Sequence, residues 1–130
     1  MLNRIDIHLE VGSATYHEMA GKELGESSGS MRERVVQARE IQRECFGKKS
    51  KVRCDAPMSS KLIKAHCELN GAGEGMMQMT MTGLNLTVGA YDRILKVSRT
   101  IADLAGSEQV QADNEAEAIQ YRTLDRRMWS

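Results

Sequence analysis

The stretch LNLTVGAYDRILKVSRTIADLAGSE, Leu84 to Glu108, constrains the fold more than any other part of the chain. Tyr91, Ile94, Leu95, Ser98, Ile101, Ala102 and Ala105 recur at helical spacing and form one stripe of an amphipathic α-helix. Thr87 offers a side-chain oxygen to the open N–H groups of the first turn, and Gly106 is a suitable stop. Such a helix has to bury its stripe against other elements. Their character follows from composition: aromatics are 4 % and proline occurs once, which favours helices packed through aliphatic side chains over a β-sandwich. At 130 residues the chain has room for one domain with a modest core. One residue is out of place: Gly89 stands in the first turn, where it adds conformational freedom and no side chain.

Other segments read in the same way. Ser30-Met31-Arg32-Glu33 is a capping box, with Ser27 and Ser28 as further caps. The apolar series Met31, Val35, Ala38, Ile41 and Cys45 predicts a helix to about Phe46. A second helix starts at Ser59 or Ser60, with Leu62, Ile63 and Cys67 inward. The segment from Asn70 to Leu86 is ambiguous, because Met76, Met77, Met79, Met81 and Leu84 suit a packed helix whereas Gly71, Gly73, Gly75 and Gly83 each oppose one. A last helix from about Ala112 to Arg122 turns Ala116, Ile119 and Tyr121 inward. Ahead of all these, Arg4 to Val11 alternates, with Ile5, Ile7, Leu9 and Val11 on one face and Asp6, His8 and Glu10 on the other, the pattern of a half-buried strand. A lone strand cannot satisfy its backbone, so the pattern reads as the last strand of a larger sheet. The expected architecture is mainly α: a bundle of four to five helices over residues 26–130, preceded over residues 1–25 by one β-strand and a Gly/Ser-rich connector with a helical turn at Tyr16 to Ala20.

Net charge is zero, but the charges are polarised: Arg32 to Lys64 carries ten Lys/Arg against four Asp/Glu, and Ile101 to Asp125 carries six acids against Arg122. The basic segment 43–64, with Lys48, Lys49, Lys51 and Arg53, is a candidate nucleic-acid surface, against the plainer reading of a solvated face. Cys45, Cys54 and Cys67 are odd in number and lack a CxxC spacing, so a disulfide framework is not expected. Cys54, His66 and Cys67 lack a fourth ligand, and no metal site is expected from them. Gly47-Lys48-Lys49-Ser50 fails as a phosphate-binding loop, since a helix rather than a strand precedes it. No apolar run approaches the ~20 residues of a membrane span, and the expectation is a cytoplasmic protein without membrane contact.

Three stretches together, LNRIDIHLEV, MRERVVQAREIQRECF and LNLTVGAYDRILKVSRTIADLAGSEQVQADNEAEAIQYRTLDR, resemble the C-terminal part of the magnesium-chelatase-like AAA+ ATPases of the ComM/YifB type. The resemblance covers nearly the whole chain and is weakest between Gly47 and Gly83. It implies the helical lid that follows an α/β nucleotide-binding core, with the phosphate-binding and magnesium-holding motifs in that upstream core. It further implies ATP and magnesium as cofactors of the full-length protein, a hexameric homo-oligomer, and DNA remodelling or competence as the task. Two positions carry over. Leu2-Asn3-Arg4-Ile5-Asp6-Ile7-His8 matches the family's LLDRIDIH, which implies Arg4 as an arginine finger acting on a neighbouring subunit's nucleotide. The family's Leu-Ser-Ala-Arg-Ala-Tyr-Asp-Arg is here Leu86-Thr87-Val88-Gly89-Ala90-Tyr91-Asp92-Arg93, so Gly89 occupies the slot of the nucleotide-sensing arginine. Arg93, one turn on, is the candidate substitute. Asn114-Glu115 likewise replaces a histidine and an aliphatic residue, and Gly75 and Gly83 replace helix formers. The alternative reading is a stand-alone helical nucleic-acid-binding module; a role in inserting magnesium into a porphyrin has no residue to support it.

Overall fold

Backbone hydrogen bonding over the amphipathic segments produces six helices in the computed structural model, which describes residues 7–9, 15–21, 25–47, 51–52 and 54–129. They are α1 (Tyr16–Ala20), α2 (Ser28–Phe46), α3 (Ser60–His66), α4 (Gly71–Leu84), α5 (Val88–Leu104) and α6 (Ala112–Trp129). Four begin on side-chain caps: Ser27, Ser59, Asn70 and Thr87 each accept a hydrogen bond from the N–H three residues on. The stops are equally local, with Gly47 at φ 79° after α2 and Asn85 in the left-handed region after α4.

The fold is the expected mainly-α bundle. α5 lies at its centre and packs on α6, α2 and α3, while α4 packs on α6. The core is built from Met58, Ile63, Cys67, Met77, Ile94, Leu95, Val97 and Ala118. The connector after α3 meets the connector after α5 in an isolated parallel bridge between Leu69 and Val110. Ile94 and Ser98 are wholly buried, and Ser98 donates its hydroxyl to the Ile94 carbonyl at 2.6 Å, which satisfies a polar group in the centre of the stripe.

Several expectations need correction. The strand expected over Arg4 to Val11 lies mostly outside the described residues, and Ile7 to Leu9 adopts no strand. Its facing is reversed there, with His8 buried and Ile7 and Leu9 exposed. The segment is held to α6 by the His8 N–H, which donates to the Tyr121 carbonyl, rather than by a β-ladder. On α2, only Ala38 and Gln42 are buried, both in its second half; Met31 and Val35 of the first half are exposed, and so is Cys45, off the face that carries Ala38 and Gln42. Ala105 is also exposed, and α6 continues to Trp129.

α4 resolves the glycine ambiguity in favour of helix. Gly73 is buried, and a Cβ there would lie 2.8 Å from Glu115 Oε2 and 3.3 Å from Leu69 Cβ, so its missing side chain lets α4 approach α6. Gly75 meets nothing within 4 Å and confers no such benefit. Glu115 itself is wholly buried, and neither carboxylate oxygen has a hydrogen-bond partner. Burial alone pushes its pKa up to about 7.

Two outcomes are expected. Gly75→Ala stabilises the fold by about 1 kcal/mol through helix propensity, whereas Gly73→Ala destabilises it by roughly 1–2 kcal/mol through crowding; urea unfolding measures both. Glu115 takes up a proton on folding between its ordinary value of 4.5 and about 7, so stability falls as pH rises through that window. Glu115→Leu is therefore expected to raise Tm more at pH 8 than at pH 5, and an equal gain at both would rule out the buried carboxyl as the cause.

Candidate functional site

The N-terminal end of α5 begins where Thr87 Oγ1 accepts from the Ala90 N–H at 3.2 Å. Val88 and Gly89 are exposed there, and the first turn carries no acidic residue. Gly89, Arg93, Lys96 and Thr100 follow one another along one face of the helix, which is exposed or half-buried throughout. Side chains on a helix lean towards its N-terminus, so Arg93 reaches back one turn. Its Nη1 lies 3.7 Å from the position a Gly89 Cβ would take, beside Thr87 Oγ1 at 3.8 Å. The helix end thus combines open N–H groups, the positive end of the helix dipole and the Arg93 guanidinium, an arrangement that favours an anion.

Of the other residues singled out from the sequence, Lys51 is described and exposed. Arg4, Lys48, Lys49 and Arg53 lie outside the described residues. His66 and Cys67 do not converge on a metal: His66 stands edge-on to Phe46, with ring centroids 5.1 Å apart, and Cys67 is buried in the core. Burial, with the nearby Asp55 charge, pushes the Cys67 thiol up to about 12. Among the described residues no group of three or more His, Cys, Asp or Glu is placed to hold a metal ion. No described helix is long and apolar enough to cross a membrane.

A second polar constellation lies at the other end of α5. Read from the sequence, Arg99 and Asp103 are a weak i, i+4 pair; in the structure both are buried. Arg99 Nε and Nη2 hold Asp103 Oδ1 at 3.0 and 2.9 Å. Nη2 also donates to the Ser107 carbonyl at 2.7 Å, and Nη1 to the Glu108 and His66 carbonyls at 2.9 and 3.4 Å. All three guanidinium nitrogens donate, in four hydrogen bonds. Asp55 packs beside the pair: its N–H donates to Gln42 Oε1 at 3.2 Å, and its Oδ2 lies 2.8 Å from the Thr100 hydroxyl. Burial, then a hydrogen bond with Asp103 and its charge, push Asp55 up to about 7, so Asp55 keeps its proton up to about neutrality. Sequence reasoning missed Asp55, which sits in a basic loop 45 residues from its partner Thr100. The only local signal was the i, i+4 spacing of Arg99 and Asp103.

Comparison with known proteins agrees with this architecture. The family described as "Magnesium chelatase, subunit ChlI C-terminal" matches residues 25–122. The chain is 40% identical over 126 residues to the competence protein ComM of Haemophilus influenzae. It is 33% identical over 130 residues to the YifB protein of Salmonella typhimurium, which is described as uncharacterized. Each alignment covers 96% of this chain and 24% of the relative, so the chain spans about a quarter of the length of these relatives.

Removing Arg99 should be costly. Arg99→Met leaves Asp103 buried without its cation and three carbonyls without their donor, a loss on the order of 3–5 kcal/mol. The loss should shrink at pH 5, where Asp55 carries its proton and the cluster holds one negative charge fewer. Chemical unfolding at pH 5 and pH 8 measures it, and a loss under 1 kcal/mol at pH 8 would contradict the central role of this guanidinium.

Proposed function

Since the chain belongs to the magnesium chelatase subunit ChlI C-terminal family, we propose that it acts as the helical lid of a magnesium-chelatase-like AAA+ ATPase, sensing nucleotide and supporting ring assembly in the full-length protein. The observation that carries this reading is the end of α5, where the Arg93 guanidinium leans over the position at which Gly89 lacks a side chain. An exposed helix N-terminus with the Arg93 guanidinium beside it and no acid in its first turn suits a phosphate group. In this lid Arg93 takes the place of the sensing arginine, and Lys96 adds positive potential along the same face.

ATP and magnesium belong to the upstream core of the same protein; bound there, ATP supplies the phosphoryl group whose transfer drives the motor. The lid's own residues orient a phosphate oxygen by charge and by backbone N–H groups. Arg4 serves as the arginine finger towards a neighbouring subunit of a hexameric ring, offsetting the charge that builds on the transferring phosphoryl. The name of the Haemophilus relative, a competence protein, supports competence as the task; DNA as the substrate of the motor and the cytoplasm as its place are part of the same proposal.

ATP turnover by the full-length protein tests the assignment. Arg93→Ala is expected to lower it at least tenfold, and Gly89→Arg to restore turnover to the Arg93→Ala protein by putting a guanidinium back one turn earlier. A Cβ at Gly89 meets only ordinary contacts of 3.7 and 3.8 Å, so the substitution is tolerated. If neither change alters turnover, this face of α5 does not meet nucleotide.

A further inference from the structure

α4 has little of its own to hold it in place. Four of its fourteen residues are glycine, a composition that favours the open chain over the helix. Gly73 and Met77 are its buried residues, and its main packing partner is α6. Docking of α4 therefore depends on a short contact, in which the Gly73 backbone lies against Glu115.

That contact contains a carboxyl with no donor to receive. Glu115 is wholly buried, and neither oxygen has a hydrogen-bond partner. Burial is the sole cause of its raised pKa, so no neighbouring charge offsets the cost. Among the described residues, the ionisable side chains on the elements around it are exposed acids: Glu68 before α4, Glu74 on α4, and Asp113 and Glu117 on α6. Arg122 is buried two turns further along α6, and Arg99 and Asp103 of α5 are paired with each other. The positive ends of α4 and α6 favour a carboxylate, but without a hydrogen bond they do not replace its lost water. Closed around a neutral carboxyl, the contact is stable; closed around a carboxylate, it holds an unpaired charge that is hydrated when α4 moves away.

The far end of α4 leads directly into α5. Asn85, Leu86 and Thr87 separate the two helices, and the Leu86 N–H donates to the Met81 carbonyl of α4 at 3.2 Å. Thr87 caps α5, accepting from the Ala90 N–H through its hydroxyl and from the Tyr91 N–H through its carbonyl. A movement of α4 is thus passed to the first turn of α5, where Gly89 stands beside the Arg93 guanidinium.

We propose that α4 is an arm gated by the ionisation of Glu115: with the carboxyl protonated the arm closes on α6, and with it ionised the arm is released and the first turn of α5 loosens. The direction follows from linkage. The docked value of about 7 lies above the ordinary 4.5, so protons favour docking, which weakens as pH rises from 4.5 to about 7 and changes little beyond. The consequence for nucleotide rests on the reading of α5 as a sensing helix; the arm itself does not.

Amide hydrogen exchange of the 130-residue chain, followed by NMR and corrected for the intrinsic effect of pH, tests the arm without any nucleotide. A displacement from 4.5 to about 7 lets docking weaken up to about 70-fold between pH 5 and pH 8, and protection of the amides of residues 77–81 is expected to fall at least tenfold. Tyr91 and Asp92 should follow them, while residues 94–98 in the centre of α5 stay better protected at both pH values. Glu115→Gln, which keeps the shape and removes the titration, should abolish the pH dependence of α4; Glu115→Leu makes the same test if the glutamine variant does not fold. Protection of α4 that is unchanged between pH 5 and pH 8, or equal to that of the α5 centre, would overturn the arm, as would a pH dependence kept by the variants. Tyr91 and Asp92 behaving like the α5 centre would overturn its coupling to α5.

Discussion

One guanidinium holds together the parts of this bundle that helix packing alone leaves separate. Arg99 is 8% exposed and donates to a carboxylate of its own helix, to the last carbonyl of α3 and to two carbonyls of the turn that leads to α6. A buried charge is costly unless it is paired and its donors are used, and here both conditions are met. The carbonyl of His66 sits at the negative end of α3, which adds to the attraction. Because the turn is pinned at Ser107 and Glu108, Val110 is brought against Leu69, and α6 begins in the place where its Ala118 can reach the core. Asp55 extends the same cluster to the loop after α2 through Gln42 and Thr100.

Against this ion-paired cluster stands Glu115, equally buried, with neither carboxylate oxygen hydrogen-bonded. It faces α4 at Gly73, where an added Cβ would lie 2.8 Å from its Oε2. The two features compete: the glycine permits a tight α4–α6 contact, and that contact denies the carboxyl both water and a donor. The consequence is a proton held near neutrality, which makes this contact sensitive to pH.

Helix positions and most of their limits were legible in the sequence, because caps and stops are local. Ser27, Ser59 and Thr87 do what their residue types predict. The α5 stripe is legible for the same reason, and Ile94, Leu95, Ser98 and Ala102 are buried as its spacing requires. Facing was less legible where an element meets a neighbour over only part of its length. Met31 and Val35 obey the helical period of α2 and are nevertheless exposed, since periodicity identifies a face without saying whether anything covers it. The alternation around His8 misled in the opposite sense, for a period of two has meaning only inside a sheet, and this segment is attached to a helix.

By itself the sequence determined the helical class, the order of the helices, the family to which they belong and the missing side chain at Gly89. Those are properties of spacing and residue type, which act within a few residues of each other. The tertiary structure alone decided that Arg93 leans over the vacant position, that the modest pair Arg99 and Asp103 lies in the interior, and that Asp55 joins it from a distant loop. These depend on which helix faces meet, and the energy of a charge is set by how much water that meeting removes.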